Sequence, residues 1–328
     1  MHLSRLASAF LLSVLLLQPS GAEGSAKPAA KAIEVQVTIL SSNLAGIPTV
    51  GEWGLSALVE VDGQCILFDA GRNPETVLRN AEELDVDLSC VSDIVLSHFH
   101  FDHTTGLLPI LEMLREEKPD AVRRVHVAQG FFLNRRIPSM TGDAESNQMI
   151  GLKSAIEAAG AEFVQHTGPA EIAPGVWVTG PVARPFPEKN YPVQIQVQLD
   201  GEWVEDHVPE SQGLTVMTDR GHIVLLGCGH SGVVNLLSQI QSDIADLPIH
   251  ALMGGLHLFN ASDETLQWTA ERLREIGVEN LMAGHCTGIE PMFRLREGLG
   301  LTRKTAVVGA VGSRFVYGEG IHATAIAM

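Results

Sequence analysis

Three histidines and an aspartate fall within the six positions His98-Phe99-His100-Phe101-Asp102-His103, directly after the apolar run Ile94-Val95-Leu96. Neutral imidazoles are ligands for zinc and iron, and a carboxylate adds a hard oxygen that can also orient a bound water. His98 and His100 can converge on one ion if the strand has just ended, whereas on a continuing strand His103 would point to the opposite face. The apolar run ending at Leu96 favours a loop built around a metal. A lone histidine is ordinarily a core or surface residue, and a short His-rich tract can bind metal adventitiously. The interleaved aspartate and the Thr104-Thr105-Gly106 turn that closes the stretch weigh toward a site.

The second half of the chain repeats one pattern of strand, glycine and histidine. His230 stands in Gly227-Cys228-Gly229-His230-Ser231-Gly232, His257 in Gly254-Gly255-Leu256-His257, and His285 in Gly284-His285-Cys286-Thr287-Gly288. Glycine allows a sharp turn and a close approach of backbone to a metal or substrate. Any one of these histidines alone would read as a capping or hydrogen-bonding residue; with the first loop, a shared cleft at one end of the strands is the economical explanation.

The elements that must position these loops alternate between short β-rich runs and helical periods. Strands are expected at Ile33 to Leu40, Leu55 to Val61 and Cys65 to Phe68, the last two joined by a hairpin turn at Asp62-Gly63. Pro74 to Leu84 has a helical period, with Val77, Leu78, Ala81 and Leu84 on one face. A strand at Ile94 to Ser97 leads into the metal loop, followed by a helix from Gly106 to Arg115 interrupted early by Pro109 and a strand from Val122 to Ala128. Residues 130 to 150 fit neither period and read either as a lid or as an ordinary surface connection. Residues 181 to 212, rich in Pro, Gln and Glu, form a second excursion. Beyond it come strands at His222 to Leu226, Ile249 to Met253, Asn280 to Ala283 and Ala306 to Val308, with Arg314 to Tyr317 as an edge strand. Helices are expected at Ser231 to Ile244, capped by Ser231, and at Ser262 to Ile276, with Asp263 and Glu264 in the first turn. The mixture indicates an α/β domain with large mixed sheets.

The chain has 328 residues, 45% of them hydrophobic, enough for a sizeable core. Arg5 and the apolar stretch Leu6 to Leu17, followed by Gln18-Pro19-Ser20-Gly21-Ala22, read as a secretory signal over residues 1–22. That stretch is short of the roughly 20 residues a spanning helix needs. A flexible leader at 23–32 would precede the domain at 33–328, and the expected location is periplasmic or secreted. A net charge of −17 argues against a nucleic-acid partner, though local arginines, Arg135, Arg136 and Arg184, could receive an anionic small molecule. A Cys65–Cys90 bridge and two separate buried thiols are both open.

The stretch from His98 to His103, preceded by Ile66-Leu67-Phe68-Asp69-Ala70-Gly71, resembles the metallo-β-lactamase superfamily. Gly54-Leu55-Ser56, Pro174-Gly175-Val176 with Thr179-Gly180, and the Gly227, Gly254 and His285 motifs are similar to its 7,8-dihydropterin-6-methyl-4-(β-D-ribofuranosyl)-aminobenzene-5′-phosphate synthase-like branch. The similarity covers most of residues 33 to 318. The resemblance implies a four-layer αββα sandwich with two divalent ions at one edge of its sheets, zinc first, with iron or manganese as alternatives. By position, His98 and His100 would bind the first ion, Asp102 and His103 the second, and His230 and His285 would complete the two sets. Asp69 resembles the residue that orients the loop from behind. His257 is either a ligand or a hydrogen-bond donor to substrate. Three positions depart from the pattern: Cys228 stands where the superfamily usually has a bridging Asp, Ser211-Gln212-Gly213-Leu214 lacks the branch's acidic start, and Gln129 replaces a common Pro. Cys228 could bridge or stand back from a bridging water, the latter slightly favoured.

The chemistry this implies is that of a metal-bound hydroxide between ions about 3.5–4 Å apart, with Asp102 holding the water and His257 as proton donor. The leading expectation is an exported metal-dependent hydrolase of a small ester, lactone, amide or phosphoester. Alternatives are a pterin-related synthase-type enzyme, which an export signal disfavours, and a non-catalytic metal or ligand binder or iron redox protein. Cys286 as a covalent nucleophile is a minor alternative.

Overall fold

The computed structural model describes residues 30–119, 123–192 and 194–328. The secretory signal and most of the leader lie outside the described residues. Packing begins before position 33: Ala32 is buried and its amide donates to the Met217 carbonyl at 2.8 Å.

Two large mixed sheets face each other. The first has eight strands in the order Gly320–His322, Arg314–Val316, Val35–Ser41, Ser56–Val61, Gln64–Phe68, Val91–Val95, Arg123–Ala128 and Ala161–His166. The second has seven: Ala306–Val308, Leu281–Ala283, Ile249–Gly254, Gly221–Leu226, Gly213–Thr218, Val176–Val178 and Ala170–Ala173. Alternation along the strands decides the layers. Val35, Val37 and Ile39 point inward with Val59, Phe68, Leu214, Val216, Ile223 and Met253 to form the core between the sheets. The opposite face of the first sheet, including Leu58, Leu67 and Ile94, packs on helices Thr76–Glu83, Leu107–Glu117 and Gln148–Ala158. The outer face of the second, including Val224, Leu252 and Leu281, packs on Val233–Gln239, Asp263–Ile276 and Ile289–Gly298. This is the αββα sandwich.

Local chemistry sets several boundaries. Asp62 and Gly63 both have positive φ, 47° and 81°, and close the tight hairpin between Ser56–Val61 and Gln64–Phe68. Ser262 caps its helix by accepting the Thr265 amide, and Gly277 ends it in the left-handed region at φ 87°. Pro109 does not interrupt Leu107–Glu117, because it lies in the first turn, where its missing N–H has no helical acceptor to lose. Three expectations change. The helix expected to begin at Ser231 starts at Val233 after Gly232, and it is Glu188 that accepts the Val234 and Asn235 amides at its N-terminus. Its last turn, Ile240–Ile244, is a π-helix. Arg314–Val316 is not the edge strand, because Gly320–His322 pairs outside it. Cys65 and Cys90 form a disulfide, while Cys228 and Cys286 are free and buried.

The two irregular excursions meet in a small sheet of Arg135–Arg136, Gln196–Leu199 and Glu202–Glu205. Phe131 is completely buried, an anchor of roughly 1.5–3 kcal/mol, so the start of the 130–150 segment belongs to the core rather than to a free lid.

Candidate functional site

The catalytic-looking residues all leave the carboxyl ends of parallel strands. Gln64–Phe68 runs into Asp69 and Val91–Val95 into the His98 loop, while in the other sheet three parallel strands run into His230, His257 and His285. Such ends converge on one edge, where ligands of α/β sheets collect. Close approach there requires glycine. A Cβ at Gly227 would lie 1.9 Å from Ser97 Oγ and 2.7 Å from Asp69 Oδ2, across the boundary between the sheets. His257 and His285 adopt positive φ, 49° and 50°, which turns each ring out of its strand into the cleft.

Two sets of donors converge. His98 Nε2 lies 2.9 Å from His100 Nδ1, which lies 3.2 Å from His230 Nε2. Each outer ring is fixed from behind: Ser97 Oγ contacts His98 Nδ1 at 2.9 Å, and His230 Nδ1 donates to the Asn190 carbonyl. In the second set, Asp102 Oδ2 is 3.7 Å from His103 Nε2 and 3.3 Å from His285 Nε2. Asp69 holds His103 Nδ1 at 2.7 Å and accepts both the amide and the hydroxyl of Ser97. A second hydrogen bond of this kind fixes which nitrogen faces an ion. Cys228 Sγ is common to both sets, within 4.8 Å of the ligand atoms of His98 and His230 and of Asp102, His103 and His285. The thiol therefore lies within reach of both sets, 3.1 Å from His103 Nε2.

These residues fit a metal. Imidazole nitrogens around 3 Å apart without enough protons to link them all are what ligands of one tetrahedral ion look like. Buried nitrogens would otherwise be satisfied, yet His100 Nε2, His257 Nδ1 and His285 Nδ1 have no hydrogen-bond partner. Electrostatics agree. Burial, reinforced by neighbouring imidazoles, keeps His98 and His230 neutral, their pKa values well below the usual range. Burial also opposes charge on His103, but Asp69 and Asp102 override it and raise its pKa to about 9, so this ring sits in a field made for a cation. Asp102 resists the effect of burial because His103 and His285 hold its carboxyl well below the carboxylate range. Burial pushes the Cys228 thiol up.

A cavity of about 370 Å³ opens over these donors. Trp53, Phe99 and Phe101 form aromatic walls, and His257, Cys228 and Cys286 reach it from the second sheet. Ile137, Ser146 and Gln148 from the 130–150 segment and Pro192 and Ile195 from the second excursion complete the rim. His257 also contacts His230 and Phe259, at ring-centroid distances of 4.6 and 5.2 Å.

Residues 54–139 match the family model described as the metallo-beta-lactamase superfamily. The crystal structure of Tm1679, a metal-dependent hydrolase of the beta-lactamase superfamily, superposes with a TM-score of 0.65 at 25% identity, over 81% of this chain and 93% of that one. The matched region and the fold are those of the metallo-beta-lactamase superfamily. Within the superfamily it is similar to the 7,8-dihydropterin-6-methyl-4-(beta-D-ribofuranosyl)-aminobenzene-5'-phosphate synthase of Methanocaldococcus jannaschii, 29% identical over 80% of this chain and 92% of the relative. YhfI of Bacillus subtilis, a metallo-beta-lactamase fold protein, shares the fold with a TM-score of 0.53 at 13% identity over 87% of this chain and 100% of that one. With its fold and its buried His, Asp and Cys cluster, the chain is a metal-dependent enzyme of this superfamily.

The arginines expected to receive an anion do not face the superfamily cleft as free cations. Arg135 is fully buried in ion pairs with Asp206 and Glu210. Arg136 bonds Gln196 and Asp143 and lies over Trp203. Arg184 donates to the backbone carbonyls of His207, Val208 and His230. None of the three is among the residues that line the cavity. Sequence reasoning also passed over Ser97, Asn190 and Glu210, whose partners are remote in sequence. Trp53 was missed as well, though an aromatic beside Gly54 was a usable signal.

Proposed function

We propose that this chain is a synthase-type enzyme that uses two metal ions to join flat aromatic substrates, in the manner named for the M. jannaschii relative. The observation that carries the reading is the aromatic-walled cavity of about 370 Å³ over the metal donors, in a chain that aligns with 92% of that synthase. Its size falls in the range of small-molecule sites, about 300–1,000 Å³. Bound cations would supply Lewis-acid stabilisation of developing charge. His98, His100 and His230 would hold one ion, and Asp102, His103 and His285 the other. Cys228 would be a shared ligand, which favours zinc, with iron or manganese less suited to the thiolate. Trp53, Phe99 and Phe101 would stack a ring, and His257 at the cavity wall would move a proton to or from the reacting group.

The test supplies zinc-loaded protein with a 7,8-dihydropterin bearing a phosphoester leaving group on its 6-methyl carbon, together with an aminobenzene ribofuranosyl phosphate. Mass spectrometry should detect the joined product, lost in His257→Ala. No product, with turnover of a lactone or phosphoester instead, would establish the second reading.

That second reading, hydrolysis of a small ester, lactone, amide or phosphoester, is supported by the Tm1679 likeness at 25% identity. Here Asp102 would orient the attacking water. Location separates the two. The Cys65–Cys90 disulfide supports export, since such bonds persist in oxidising compartments. N-terminal sequencing of the mature protein tests it: a start near Glu23 would favour the hydrolase, and an intact cytoplasmic chain the synthase.

A further inference from the structure

The segment 206–210 lies behind the metal loops and is gripped by two arginines. Arg135, 0% exposed, spans two buried carboxylates, with Nε donating to Asp206 Oδ2 at 2.8 Å and Nη2 to Glu210 Oε2 at 2.5 Å. Its Nη1 donates to the carbonyls of Gly130 and Leu133. The guanidinium carbon lies 3.9 Å from the ring centroid of Phe99, the residue between His98 and His100. Glu210 Oε1 also accepts the Phe99 amide at 3.4 Å. Arg184 takes the segment from its other side. Its Nη2 donates to the His207 carbonyl and, at 3.0 Å, to that of Val208, while Nη1 donates to the His230 carbonyl at 3.0 Å.

These contacts form a chain with a purpose. His98 and His100 come from the first sheet and His230 from the second, so the size of their nitrogen triangle depends on whatever joins the two loops from behind. We propose that Arg135 and Arg184 are positioning residues that fix this triangle through the 206–210 segment, Arg135 on the His98–His100 side and Arg184 on the His230 side. The guanidinium is suited to this because its donors point in fixed, planar directions and reach several acceptors at once, which an ammonium on a flexible stem does not reproduce. The second donor set has different support: His103 is held by Asp69, with no contact to either arginine. The clamp therefore acts directly on the His98–His100–His230 set and reaches the other only through the shared Cys228. The inference rests on the two-ion reading above.

The test uses full-length protein loaded with zinc and challenged with excess chelator, with ion release followed in time. His230→Ala and His285→Ala identify which phase belongs to which donor set. In Arg184→Met the phase of the His98–His100–His230 set should accelerate by about tenfold to a hundredfold, the usual effect of removing support behind a ligand, with the other phase changed much less. Arg135→Lys should shift the same phase in the same direction. Arg184 is half-buried, its hydrogen bonds go only to carbonyls and its guanidinium lies over the Tyr191 ring, with no buried carboxylate left unpaired by its loss, so its variant should fold even if the Arg135 variant does not. Equal acceleration of both phases with a fall in thermal midpoint would reduce the arginines to general packing, and unchanged release would remove the clamp altogether. A wild-type protein that retains no zinc, cobalt or iron would overturn the two-ion reading itself, and that result comes before any variant is made.

Discussion

Asp69 accepts a hydrogen bond from His103 Nδ1 at 2.7 Å while taking both the amide and the hydroxyl of Ser97. One buried carboxylate thus sets the ring of a metal-facing histidine and the entry of the loop that carries two others. Asp69→Asn keeps the volume but removes the charge and one acceptor site. The expected outcome is a tenfold to hundredfold loss in affinity (about that scale for such partners), concentrated on the Asp102–His103–His285 set and measured by metal titration.

Cys228 is the one donor shared by both sets. A thiolate selects thiophilic ions, so cadmium-loaded protein should show a sulfur-to-metal charge-transfer band. Cys228→Ser should abolish most of that band and lower zinc affinity more than manganese affinity. An unchanged band would assign the bonding thiolate to Cys286.

The disulfide joins Cys65, in a strand of the first sheet, to Cys90, 25 residues on. Closing a loop of that length stabilises a fold by about 3 kcal/mol in the chain-entropy account. A Cys65→Ala, Cys90→Ala double variant should unfold at lower denaturant with metal content intact. Thiol titration of the unfolded wild type should find only two free cysteines.

Glu188 supplies the pH prediction. Burial raises its pKa from 4.5 to about 7, even though it accepts the Val234 and Asn235 amides. A carboxyl raised in the folded state favours folding when neutral, so its contribution is complete below pH 4.5 and is lost as pH rises to about 7. Glu188→Gln should flatten the stability profile across that window in urea melts. A slope identical to wild type would assign the pH dependence to other groups.

Much of the fold was legible because strand alternation and glycine punctuation are local signals. The runs from Val35 to Phe68, the Asp62-Gly63 turn and the helix with Asp263 and Glu264 in its first turn all follow from neighbours in the chain. The helix start after Gly232 was not legible, because its cap is Glu188, more than forty positions away. The site divided in the same way. Histidines were readable from type and spacing, since few other roles account for so many at strand ends. The surroundings of Arg135 were not legible, because its buried partners, Asp206 and Glu210, lie more than seventy positions away in the chain.

Gly227 touches the opposite sheet through the space its missing side chain leaves. Each donor set draws ligands from both sheets, His98 and His100 with His230, and Asp102 and His103 with His285. On the proposed two-ion reading, neither ion could be fully bound until the sandwich has closed, and once bound it would tie the layers together from outside the apolar core. Ion loading would then be a late folding event, and starvation for metal would show itself as a loosening of the two halves before any strand is lost.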